Sequence, residues 1–407
     1  MKKSVGWTVS AIMGMTLLAI SAAGQTVAEG RTSPEWRGGH SGAGSIVVGN
    51  VTAFATLPEM ISTSTNLALG HPEGLCADSS GNVYADTFEQ PIGGPGGTYV
   101  QNFVYQFSPK GNLVSATPVK TGVVPLGCIV SGNSLYFNDV YNGDEYQYTL
   151  PLTASSQPTK VFHICGGFTG KPGPLCAMNA NYPGPDGNIY ISDNGAALFG
   201  DFIGRIWELN PATGNSSIFL DSSTGATAIA VANLATADYV PTGSTLPYSA
   251  NGIAFSRDGL GLYIANMSTN TIYVQAIKNC FMGTGCEPDG DLVQFSNDPL
   301  HFISGPDNMD FDENGNLWIA SGQEQHVVAL NKEGNVVGVF GAYNGLSSAG
   351  APMGLLQPSG IIYSQGNIYI GNESNQSLLP SSDDINWAGL KEFTISSVST
   401  SLLGHQN

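Results

Sequence analysis

Six times along the chain an apolar strand, a turn rich in Gly, Asn and Asp, and a second strand carrying an aromatic residue follow one another. No other feature limits the fold as much. The clearest copy runs from Ser304 to Ala320: Pro306-Asp307 opens the first strand, the acidic turn ends at Gly315, and Trp318 sits in the second strand. The second-strand aromatics Tyr84, Tyr136, Tyr190, Tyr263, Trp318 and Tyr369 recur at intervals of 52, 54, 73, 55 and 51 residues. Short strands repeating at such a period form a radial array of small sheets and not a sandwich. The expectation is an all-β, six-bladed β-propeller over residues 44–400, in one domain, with a polar tail at 401–407.

The ends of the array predict how the ring closes. The sixth unit shows strands near Gly360–Tyr363, Asn367–Gly371 and Leu390–Ile395 and then stops, one strand short of a blade. The segment from Gly44 to Phe54 has β character and no partner of its own. An N-terminal strand completing the last blade removes a free sheet edge. The long interval between the third and fourth units maps to an insertion near Ser222–Ser249, either a lid over the channel mouth or a surface excursion.

Before the array, Lys2-Lys3, an apolar run to Ile20 and the small residues Ser21-Ala22-Ala23-Gly24 have the layout of a signal peptide over residues 1–24, followed by a flexible arm at 25–43. This predicts export to the periplasm or the medium and no stable membrane association after cleavage, with a retained anchor as the alternative. The net charge of −18, with 13 Lys and Arg in total, argues against nucleic acid as a partner. Six cysteines in an exported chain allow disulfides. Cys165/Cys176 and Cys280/Cys286 are close enough to staple loops, and Cys76 and Cys128 occupy equivalent strands of neighbouring blades. Sequence alone leaves every pairing open.

The repeat register singles out four oxygen donors. In a propeller the first strand of each blade lines the central channel. Eight residues before the turn glycines Gly81, Gly187, Gly259 and Gly315 stand Glu73, Asn179, Asn251 and Asp307. In blades two and six the matching positions are Leu126 and Ser359. Two carboxylates and two amides at one depth suit a hard divalent cation, calcium best of all, with water completing a shell of roughly six to eight. Zinc does not fit, since no His or Cys falls in this register. Asn and Asp that open strands for turn reasons account for any one of these positions, but poorly for all four. His71, two residues before Glu73, is a further candidate for a base or a substrate contact at the mouth.

Pro72-Glu73-Gly74, Asn179, Ala250-Asn251-Gly252-Ile253-Ala254-Phe255-Ser256 and Pro306-Asp307-Asn308-Met309 resemble the regucalcin and gluconolactonase family of six-bladed propellers and, more distantly, the paraoxonases. The resemblance implies a calcium-type ion on Glu73, Asn179, Asn251 and Asp307, with Asn308 as an additional ligand, and hydrolysis of lactones or related esters. It has two departures: the arginine of sugar-lactone members is Ala177 here, and the second-blade histidine of paraoxonases is Leu126.

The expected function is thus that of an exported metal-dependent lactonase or esterase acting on a small-molecule lactone or ester. The ion polarises the carbonyl, and Asp307 orients or deprotonates the attacking water, with hydroxide on the ion as the competing nucleophile. The alternative is a noncatalytic ligand- or protein-binding propeller with a structural ion. A lyase on the same scaffold needs a base beside the ion, for which His71 is the residue available. The sequence carries no Gly-x-Ser-x-Gly elbow, and Gly166–Lys171 fails as a phosphate loop because Cys165 takes the first glycine position and Pro172 follows the lysine.

Overall fold

The structure is a computed structural model; it describes residues 46–404 apart from 59, 62–67, 90–97, 168–170, 196–203, 222–249, 284 and 376–384. The leader at 1–24, the arm at 25–43 and the insertion at 222–249 lie outside the described residues. Among those described, no helix is long and apolar enough to cross a membrane.

Six antiparallel sheets follow the six repeats. Each begins with an inner strand: Pro72–Ala77, Pro125–Ser131, Met178–Pro183, Ala250–Phe255, Pro306–Phe311 and Pro358–Ser364. The outer strands of blades one to three and five fall where alternation places them, for example Arg205–Leu209 and Ser216–Asp221 in blade three. Blade four departs from the pattern. Its third strand runs on to Phe281, and two short strands, Gly285–Pro288 and Val293–Gln294, pair with it in succession.

The N-terminal segment closes the ring as expected and also does more. Thr52–Thr56 pairs antiparallel with Thr394–Ser399 as the outer strand of blade six. The residues just before it, Val47–Gly49, add a parallel fifth strand to blade five against Val336–Phe340. One segment therefore covers the edges of two neighbouring sheets. The third strand of blade six is a correction: it lies at Thr394–Ser399 and not at Leu390–Ile395. Phe393 and Leu390 are apolar because they pack into the core shared by blades one and six, not because they alternate in a strand. The chain also stays packed past residue 400, since Leu403 in a 3-10 turn is buried against blade five.

The core is divided into shares between adjacent blades. Trp207 and Leu209 pack toward blade two with Ile129, Tyr136 and Phe162, while Ile206 on the opposite face packs toward blade four with Ile253 and Phe255. The repeated aromatic carries a polar tip that the turn acid satisfies. Trp318 Nε1 donates to Asp312 Oδ2 at 2.9 Å, and Tyr84 Oη to Asp78 Oδ2 at 3.0 Å. The same acids accept turn N–H groups, which fixes the turn and the aromatic together. All six cysteines are paired, as Cys76–Cys128 between blades one and two, Cys165–Cys176 and Cys280–Cys286.

Inner strands meet around the axis through small residues. A Cβ on Gly252 would stand 2.2 Å from the Asp307 carbonyl oxygen, one on Gly360 2.2 Å from that of Glu73, and one on Gly127 2.4 Å from that of Asn179. These contacts are with backbone, so they leave no flexible side chain to yield. Gly252→Ala is expected to cost about 3 kcal/mol, visible as a lower urea midpoint at unchanged slope. A midpoint equal to that of the parent chain would show that the blades are free to separate at this point.

Candidate metal centre at the channel mouth

The register read from the sequence has a structural cause. In each blade the pairing between the first and second strands slips by an irregularity at the start of the inner strand, between Pro72 and Leu75 in blade one and between Pro306 and Met309 in blade five. The same slip lies at Met178–Asn181, Ala250–Ile253 and Pro358–Ile361. A bulge takes residues out of the ladder and redirects their side chains. Glu73, Asn179, Asn251 and Asp307 are the residues on these bulges. The following position is the small or close-packed one: Gly74, Ala180, Gly252 and Asn308.

All four side chains are buried, with 2 to 7% of their surface exposed. Each leaves one oxygen without a hydrogen-bond partner: Glu73 Oε2, Asn179 Oδ1, Asn251 Oδ1 and Asp307 Oδ1. Buried acceptors left bare in this way are costly and rare. Burial raises the pKa of Glu73 well above the usual carboxylate range, and the charges of Asp307, Glu373 and Asp86 raise it further; the Ser359 hydroxyl works the other way. Burial likewise takes Asp307 up to about 7, opposed by the Asn308 N–H and the Asn251 amide. The electrostatic contacts join Glu73 to Asp307 and Asp307 to Asn251. Asn179 shares with them the equivalent bulge and a bare, buried oxygen.

The residues fit a hard cation. Four bare oxygens, two of them on carboxylates that disfavour each other's charge, form a donor set without His or Cys. Among the described residues the one trio of His, Cys, Asp and Glu atoms close enough for an ion is Asp186 with Cys280 and Cys286, and those sulfurs are joined in a disulfide.

The other candidates are placed differently. Asn308 lines a cavity of about 110 Å³ deeper in the channel. His71 is tied down: Nδ1 lies 2.7 Å from the Glu373 carbonyl oxygen, Nε2 3.8 Å from Glu89 Oε1, and the ring rests on Phe393. Its Nδ1 therefore carries a proton, and Nε2 is the free acceptor in the neutral ring. Sequence reasoning missed Glu373, which is buried and pushed up to about 8 by burial and then by Asp307, against the pull of the Asn375 amide. It follows the second strand of blade six, outside the repeat register, and only its place next to Asn372 at a strand end marks it.

At the blade-two position the side chains are apolar. Leu126 takes the blade-two position and packs with Phe88, Val140, Tyr141 and Ala177. The oxygen group and an apolar wall share one opening.

The sequence profile of the SMP-30/Gluconolactonase/LRE-like region matches residues 245–341, which include Asn251 and Asp307. A search of curated proteins gives no match. Among solved structures the chain is similar to regucalcin, a calcium-binding protein of Agrobacterium tumefaciens (13% identity, TM-score 0.55, 87% of this chain and 95% of that one). It is similar also to a luciferin-regenerating enzyme (14%, TM-score 0.53, 84% and 96%) and to a gluconolactonase of Xanthomonas campestris (13%, TM-score 0.50, 86% and 98%). The chain is a six-bladed propeller with the fold of regucalcin and the gluconolactonases, and its blades four and five carry the SMP-30/gluconolactonase/LRE-like sequence pattern.

Proposed function

We propose that the protein is an exported hydrolase of lactones or related esters that works with a divalent cation, calcium by preference, at the channel mouth. The observation that carries the reading is the set of four bare, buried oxygens on equivalent bulges of four blades. Glu73, Asn179, Asn251 and Asp307 would hold the ion. When bound, the cation supplies Lewis acidity, drawing electron density from a carbonyl and offsetting charge that develops on its oxygen. The Asp307 carboxylate orients the attacking water and accepts its proton, and the Asn251 amide holds it in place. Glu73 supplies the second negative charge. His71 Nε2 is available on the Glu89 side of the mouth for a substrate contact.

The apolar wall favours a substrate whose body is hydrocarbon. Ala177 and Leu126 offer no hydrogen bond to a sugar hydroxyl, and both are buried among Phe88, Val140 and Tyr141. Export fits three paired disulfides, which persist in oxidising compartments.

A panel of aliphatic, aromatic and sugar lactones, assayed before and after chelation, tests this reading. Hydrolysis of apolar lactones is expected to fall at least roughly tenfold on chelation and to return with calcium. Calcium-dependent melting without turnover of any member would favour the noncatalytic binding propeller.

A further inference from the structure

We propose that Asp86, Asn138 and Glu145, gathered around Asn181 where blades one, two and three meet, hold a second divalent cation apart from the group at the mouth. The repeat itself makes the case, because these residues break it. Asp86, Asn138, Ser192, Ala265, Ala320 and Gly371 occupy equivalent second-strand positions. Their cross-strand partners are Val104, Glu145, Ile206, Ile272, Val327 and Ile395. Five are β-branched aliphatics, and the sixth is a fully buried glutamate. On the inner strand, two residues beyond the mouth position, the chain carries Leu75, Cys128, Asn181, Ile253, Met309 and Ile361. There Asn181 is the exception. Both exceptions fall in one place, and a core that merely needed filling would have kept the aliphatics.

Hydrogen bonds fix which atoms are left over. Asn138 Nδ2 donates to the Asn179 carbonyl and, at 2.6 Å, to Asn181 Oδ1. Asn181 Nδ2 donates to Glu145 Oε1 at 2.7 Å, so neither amide can be turned round without losing its acceptors. The Gly74 N–H takes Asp86 Oδ1 at 2.8 Å. What remains is Asp86 Oδ2, Asn138 Oδ1 and Glu145 Oε2, each buried and without a partner. All three are acceptors, and two belong to carboxylates whose charges oppose each other. Lys171 and His163 are committed to Asp144, and Lys160 Nζ donates to the Pro211 carbonyl.

There is also room. The cavity of about 110 Å³ in the channel is lined by Gly74, Gly127, Cys128 and Asn181; Asp86 Oδ2 lies against Gly74, and Asn181 is the residue that Asn138 and Glu145 hold. Water there can complete the shell of an ion held by only three protein oxygens. The ligand is a hard divalent ion of the calcium type, since the donors are carboxylate and amide oxygens alone.

Metal analysis of the full chain, dialysed against calcium and freed of excess, tests the assignment. The parent chain is expected to hold close to two ions, Glu145→Gln and Asp86→Asn close to one, and Asp307→Asn close to one. Glu145→Ile, which installs the residue type of five other blades, guards against misfolding: it is expected to melt cooperatively and still to lack one ion. One ion in the parent that is lost with Asp307→Asn and kept in Glu145→Gln overturns the inner site. A single ion lost with Glu145→Gln and kept in Asp307→Asn supports the inner site and overturns the mouth. One ion together with a protonated-carboxyl infrared band near pH 7 that vanishes in Glu145→Gln would replace the inner cation by a retained proton.

Discussion

Asp307→Asn is expected to lower kcat/KM on a responsive lactone by roughly a hundredfold or more, while making the ion-free protein more stable than its parent. The two effects have opposite signs for one reason. In the absence of a cation the buried Asp307 carboxylate is a liability, raised by burial to about 7, and it pushes up Glu73 and Glu373 as well. An asparagine of the same shape removes that charge and relieves both neighbours. With a cation the same substitution deletes half of the formal charge of the four-oxygen group and the carboxylate that accepts the proton. The calcium-induced rise in melting temperature should therefore shrink while the ion-free baseline moves up. Glu73→Gln is expected to behave alike in melting, but its rate loss would come through binding of the ion, so excess calcium should recover part of it. Asp307→Asn at saturating calcium should stay slow, because no amount of ion restores the base. A rate within twofold of the parent in Asp307→Asn would sink the catalytic reading.

Much of this was legible because the fold is periodic. The spacing of Tyr84, Tyr136, Tyr190, Tyr263, Trp318 and Tyr369 counts the blades. The offset from Gly81, Gly187, Gly259 and Gly315 finds the bulge residues without any knowledge of a bulge. The closing strand was legible for a similar reason: a β segment at Gly44–Phe54 had no partner, and blade six lacked one. Where periodicity lapses, so does the reading. Leu390 and Phe393 mimic a strand while packing into the core shared by blades one and six, and the parallel strand at Val47–Gly49 leaves no alternating trace in so short a run. Glu373 lies beyond the end of a strand, where the register no longer says which way a side chain points. Glu145 was visible all along in the third strand of blade two. It could be judged anomalous only once pairing with Asn138 placed it opposite the aliphatics of the other blades.

A buried acidic centre of this kind should also reverse the usual dependence of stability on pH, and the reversal should depend on the ion. Asp307 and Asp86 are raised by burial from 3.8 to about 7, and Glu373 from 4.5 to about 8 by burial and then by Asp307. Between the unfolded values and these folded ones the native chain holds protons that the unfolded chain has released, so the stability of the ion-free protein falls as pH rises. The loss begins above about pH 4 and is complete only once the pH has passed the Glu373 value of about 8. For one carboxylate moved from 3.8 to about 7 it is on the order of 4 kcal/mol, enough to shift melting by several degrees. Calcium is expected to invert the trend, because a bound cation would favour the ionised carboxylates and acid would have to displace it before they could protonate. Melting curves from about pH 5 to pH 8.5, on protein stripped of ions and on the same protein reloaded with calcium, should therefore diverge steadily with pH. The separation should be smallest at the acid end and largest above pH 8, and in Asp307→Asn it should narrow. Parallel curves across that range would mean that the carboxylates are solvated in the folded chain and that no cation balances them.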